Sequence, residues 1–75
     1  MTSIANIKLN ETRVINHLDS SIQKKKRFFE MGLLPNTEIT LINKAPFKGP
    51  VMIKVKDYSL SLRLCDASKI FVNSL

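Results

Sequence analysis

The chain has 75 residues, twelve Lys and Arg against six Asp and Glu for a net charge of +6, and one Cys and one His. That length predicts a single domain over residues 1–75 with a small core, about 60% of the unfolded surface being buried at this size, and it excludes an enzyme cleft of ordinary depth. One cysteine excludes an internal disulfide, no apolar run approaches the ~20 residues that span a bilayer, and Met1-Thr2-Ser3-Ile4 lacks the order of a signal peptide, so a soluble protein of a reducing compartment is expected.

In chain order, Ile4 and Ile7 form a short apolar lead-in, and Asn10-Glu11 predicts a turn before a β-prone run, Thr12 to Leu18. The adjacency of Val14 and Ile15 breaks the period of two, as a bulge or burial on both faces would. Asp19-Ser20-Ser21 supplies caps for a helix from about Ser21 to Met31. Within it, Lys24 to Arg27 are solvated or face an acidic partner, and Phe28, Phe29 and Met31 crowd the last turn. Phe28 and Phe29 are adjacent and cannot point the same way, so one packs inward while Phe29 lies nearer the edge. Gly32 stops the helix in a left-handed cap with Leu33 folding back, and Pro35-Asn36 sets a tight turn.

From Thr37 the period changes. Ile39 and Leu41, then Val51, Ile53 and Val55, then Leu60, Leu62 and Leu64 alternate with polar or exposed neighbours, predicting three half-buried strands. Asn43 to Pro50 reads as a projecting loop, Asp57-Tyr58 as the next tight turn, and Asp66 to Lys69 as one helical turn capped by Asp66 before a last strand, Ile70 to Val72. About five strands and one short helix are best satisfied by a mainly β, small SH3-like barrel; an open α+β sheet with the helix across one face is the alternative.

The inventory of chemical groups disfavours catalysis: there is no Gly-rich phosphate loop and no paired acid and base at readable spacing. No cofactor is expected and no tight metal site in the monomer, because His17 and Cys65 stand alone; a site shared across a dimer stays open. His17 reads as a strand residue on the barrel surface and Cys65 as a small buried side chain. Arg63, alternating out of the leucine face, either pairs with a carboxylate or carbonyl or contacts a partner. Phe47 either folds over a barrel mouth or serves as an exposed anchor on a loop stiffened by proline.

Arg27-Phe28-Phe29-Glu30-Met31-Gly32-Leu33, Pro35-Asn36-Thr37, Ala45-Pro46-Phe47 with Gly49-Pro50, Leu60-Ser61-Leu62-Arg63, and Ala67 with Ile70 and Val72 together resemble the FeoA (ferrous iron transport protein A) family from about Ile4 to Val72. Where that family usually carries glycine, this chain has Asn10, Asn36 and Asp57, the non-glycine types that best tolerate a left-handed backbone. The resemblance implies an SH3-like barrel in the bacterial cytoplasm, an accessory of ferrous iron uptake that binds and assembles or regulates FeoB, the membrane transporter with a GTP-binding domain. It would reach the inner face of the membrane only through that partner, and weak homo-oligomerisation stays open. The basic run, the helix edge and the projecting loop make Lys25, Lys26, Phe29 and Phe47 the candidate partner contacts. The rival is a basic barrel binding nucleic acid, disfavoured because Phe47 and Tyr58 do not interleave with the basic run.

Overall fold

A computed structural model describes residues 2–73. Strands β1 (Thr2–Ser3), β2 (Thr12–Leu18), β3 (Glu38–Lys44), β4 (Val51–Val55), β5 (Tyr58–Leu62) and β6 (Ile70–Val72) form one antiparallel sheet in the order β1-β6-β2-β3-β4-β5. Two helices are interspersed, α1 (Lys25–Glu30) and the single turn α2 (Leu64–Ala67), and a 3-10 turn covers Ile4–Asn6. β2 is the shared strand. Its first half pairs with β3 and its second with β6, and the register shifts between Ile15 and His17. This is the irregularity that the broken period at Val14-Ile15 foretells, and it lets one strand serve both halves of a bent sheet. A second shift, between Leu41 and Asn43, bends β3 against β4.

Alternation places the core. β4 reads buried-exposed throughout, with Val51, Ile53 and Val55 inside, and Ile39, Leu41, Ile15, Leu33 and Ile70 join them at no more than 1% exposure. Ile4 and Ile7 are also buried, at 0% and 2% exposure, so the apolar lead-in is part of the core. The sheet therefore has six strands where the pattern predicts about five, and the helical turn predicted near Asp66 is a second short helix, α2, two residues early. β1 was not separable by pattern because two residues carry no period; its partner β6 defines it, through Thr2↔Val72 and Ser3↔Phe71.

Other boundaries move for local reasons. The helix begins at Lys25, not Ser21, because Asp19 closes a turn instead: its Oδ1 accepts the Ser21 N–H at 3.0 Å and its carbonyl accepts the Ile22 N–H at 3.1 Å. Ile22 then turns into the core at 5% exposure. Leu64 leaves the strand pattern for α2, whose N-cap is Arg63, so Asp66 lies in the first turn and does not cap. The β4–β5 hairpin turns one residue early, at Lys56-Asp57, with the positive φ of 55° on Lys56 and none on Asp57. Asn10 (66°) and Asn36 (73°) do take the left-handed region.

The end of α1 follows its sequence closely. Gly32 has φ +98°, its N–H donates to the Phe29 carbonyl at 3.0 Å, and the Leu33 N–H donates to the Phe28 carbonyl at 2.9 Å. Those two bonds are the Schellman pair, and the buried Phe28 and Leu33 stand at the positions of its accompanying apolar contact.

Near the start of β2, Arg13 donates to Glu11 Oε2 at 2.9 Å and to the Asn73 carbonyl at 2.6 Å, tying the chain beyond β6 to β2. The Lys8 N–H, first, and then Arg13 hold the Glu11 carboxyl below the usual carboxylate range. A depressed folded pKa contributes stability in full above the unfolded pKa and loses it as pH falls through the folded value. Glu11→Gln should therefore lower stability at neutral pH and flatten its decline in acid. Urea melts between neutral and strongly acidic pH check this; parallel curves for the two proteins would remove Glu11 from the account.

Candidate partner-binding surface

α1 turns one face toward the sheet edge. Lys24, Arg27, Phe28 and Met31, spaced i, i+3, i+4, i+7, form one wall of a cleft of about 200 Å³ whose other wall is Leu60 to Arg63, with Asp66 between them. A second cleft of about 210 Å³ shares Lys24, Arg63 and Asp66 and adds Lys69. Arg63 is thus exposed between two clefts, not engaged in an internal pair. Among the described residues the single ion pair within 4.0 Å is Arg13–Glu11, which leaves the cations around α1 without a carboxylate partner.

Lys25 stands 5.8 Å over the Phe29 ring, a cation–π pair at i, i+4. Phe29 is half-buried and packed against the core, so it is an edge residue with a structural share. Lys26 is exposed.

Phe47 lies elsewhere. It is 99% exposed at the tip of the β3–β4 loop, and both Phe47 and Lys48 have φ 59°. Two successive left-handed residues without glycine are costly. The loop holds them through the Ala45 N–H to the Pro50 carbonyl at 3.0 Å and the Gly49 N–H to the Pro46 carbonyl at 3.1 Å. Of the two readings of Phe47 the structure shows the projecting one. Beneath the loop is a cleft of about 480 Å³ lined by Ala5, Lys44, Lys48, Leu64 and Ser68, among others.

Lys25, Lys26 and Phe29 are therefore not gathered with Phe47 around one cavity. The α2 turn separates them: Leu64 and Ser68 face the loop, whereas Arg63 and Asp66 face α1. Lys24, one of four consecutive basic residues, and Lys69, in a turn, carry no local signal that assigns them to these clefts.

Cys65 is exposed, not buried, since α2 takes Ala67 as its inward residue. His17 is half-buried, with its ring centroid 5.0 Å from that of Phe71 on β6. Among the described residues no three of His, Cys, Asp and Glu cluster as a metal site would need. No described helix is long and apolar enough to cross a membrane.

Residues 2–74 match the FeoA domain family. Over 48 residues the chain is 44% identical to the Fe(2+) transport protein A/Fe(2+) transporter FeoB fusion protein of Porphyromonas gingivalis, covering 64% of this chain but 6% of that protein. The FeoA-like protein of Clostridium acetobutylicum superposes with a TM-score of 0.85 at 27% identity, over 100% of this chain and 91% of that one. FeoA of Stenotrophomonas maltophilia complexed with zinc, a prokaryotic SH3 domain protein, superposes at 0.84 and 18% identity, over 97% and 91% of the two chains. The bent six-stranded sheet is thus an SH3-like barrel.

Proposed function

The chain belongs to the FeoA family, and from that premise we propose that it is an accessory of ferrous iron transport that binds a FeoB-type transporter at its cytosolic side and assembles or regulates it. The observation that carries this reading is the Porphyromonas relative, in which transport protein A and the transporter are fused. Joining two modules on one chain raises their effective concentration to about the millimolar range, which benefits modules that touch. On this reading the basic rim of α1 steers encounter and the Phe47 side chain supplies buried area.

Replacing Lys25 and Lys26 by Glu should slow association by about tenfold at low salt and less at high salt, with dissociation little changed. Phe47→Ala should leave association alone and speed dissociation by about tenfold or more, because removing a fully exposed side chain costs the fold nothing and the interface an anchor. Phe29→Ala is a poorer probe, since Phe29 also packs on the core. Binding kinetics against the purified transporter and against single-stranded DNA, each at two salt concentrations, decide the matter. Binding to DNA alone, with a steep salt slope lost on charge reversal, would make the protein a polyanion binder instead.

A further inference from the structure

β5 is one outer edge of the sheet, and its residues Tyr58-Ser59-Leu60-Ser61-Leu62 carry neither charge nor proline. An edge of that composition is a template for another strand, and proteins usually blunt it with Lys, Pro, a bulge or a cover. The opposite edge, β1, is two residues long and offers almost nothing. β5 pairs with β4 without a bulge, from Val55↔Tyr58 at the hairpin to Val51↔Leu62. In an antiparallel ladder bonded and open pairs alternate, and the residues closing a two-residue hairpin are a bonded pair. Tyr58, Leu60 and Leu62 therefore bond to β4, while the N–H and C=O groups of Ser59 and Ser61 point away from the sheet. Both serines are exposed, and neither makes another backbone hydrogen bond among the described residues.

These free groups lie beside the cationic wall of α1. Lys24, Arg27 and Arg63 border the cleft that Ser61 also lines, against the single carboxylate of Asp66. We infer that the groove between β5 and α1 takes an extended acidic segment of a partner protein. The segment adds as a strand to β5 through Ser59 and Ser61, and its carboxylates meet Lys24, Arg27 and Arg63. This deepens the partner-binding reading and rests on it only for the identity of the protein that supplies the segment. Charge argues against a second copy of this chain, which carries +6 and would bring the same cations to the same groove. Nucleic acid would find one exposed ring there, Tyr58 at the start of β5, and not the succession of aromatics that single-strand platforms use, since Phe28 in the groove wall is 4% exposed.

The test uses the full chain and a short capped peptide alternating Glu with Val and Ile, followed by amide NMR and hydrogen exchange. Binding should shift and protect the Ser59 and Ser61 amides. N-methylation of alternate peptide residues should weaken it by about tenfold or more, as should Arg27→Glu combined with Arg63→Glu. Ser61→Pro should fold, since its N–H is outside the β4 ladder, and should bind about tenfold less tightly. Asp66→Asn should tighten binding.

Equal affinity for the N-methylated peptide would overturn strand addition, as would perturbations away from β5. Absence of peptide binding, while single-stranded DNA, phosphatidylglycerol vesicles or a second copy of the chain occupies the groove, would overturn the acidic segment. If the transporter binds the wild type but the peptide does not, the groove inference falls and the accessory reading stands. If the peptide binds and the transporter does not, the reverse holds.

Discussion

Ile53→Ala should remove a large fraction of the protein's stability and lower its unfolding midpoint sharply. Ile53 is fully buried at the centre of β4, with Leu41 opposite it on β3 and Leu60 opposite on β5. Truncating such a side chain costs about 2–5 kcal/mol, the larger figures applying where the surroundings cannot collapse into the space. Collapse is difficult here because Ile53 is paired on both sides, with the β5 ladder unbroken and the β3 ladder shifting register only beyond Leu41. A domain of 75 residues has a total stability of roughly 4–11 kcal/mol, so the loss is a large fraction of the whole. Ile53→Val, which removes one methyl group, should cost about 0.5–1.5 kcal/mol. Urea melts should show the midpoint falling for both variants with little change in slope. A loss below about 1 kcal/mol for the alanine variant would mean that the core is not organised around β4.

The parts of this fold that could be read from the chain are those whose information is local. β3 and β4 follow from alternation because one face of each is buried, β2 follows from its β-prone run despite the broken period, and Gly32 follows from the need for a left-handed cap. What could not be read depends on partners distant in sequence. β1 exists because β6 is there to receive it, and Ile22 ends the capping region early because the core has room for it. The hairpin places its positive φ on Lys56 because the Val55↔Tyr58 register requires a two-residue loop there, whatever Asp57 would prefer. The candidate surface was legible as a list of exposed residues but not as an arrangement. Arg63 and Lys24 are 39 positions apart in the sequence, and only the packing of α1 beside the β5 edge makes them neighbours on one groove. Conversely, Phe47 and the α1 lysines, grouped by their shared exposure, prove to flank α2 on different sides.

Gly32→Val should destabilise the protein by about 3 kcal/mol, well beyond the ~1 kcal/mol of an ordinary substitution. Two effects contribute, and they can be separated. At φ +98° a side chain is strained whatever space is available, and a β-branched one most of all. In addition, a Cβ at Gly32 would stand 2.5 Å from the Tyr58 hydroxyl, with the next contacts at an ordinary 3.7 and 3.8 Å. Tyr58 is 41% exposed, and its hydroxyl is the outer end of the side chain, so it can swing toward solvent. The steric conflict is therefore the cheaper of the two, and the backbone conformation accounts for most of the loss. Gly32→Ala should cost about 1–2 kcal/mol, and Tyr58→Phe, which deletes the hydroxyl, should recover less than about 0.5 kcal/mol of it in a double-mutant cycle. Gly32→Asn should be the mildest replacement, since asparagine tolerates this region better than other side chains. The Schellman bonds to Phe28 and Phe29 link the effect to the groove: a cap forced out of the left-handed region frays the last turn of α1 and displaces the wall that carries Arg27. Gly32→Val should then weaken binding of the acidic peptide, though by less than the roughly tenfold of Arg27→Glu combined with Arg63→Glu, even at temperatures where the barrel remains folded. Denaturant melts with the cycle Gly32→Ala, Tyr58→Phe decide between the two causes; recovery of most of the lost stability by Tyr58→Phe would show that the hydroxyl, not the backbone, reserves this position for glycine.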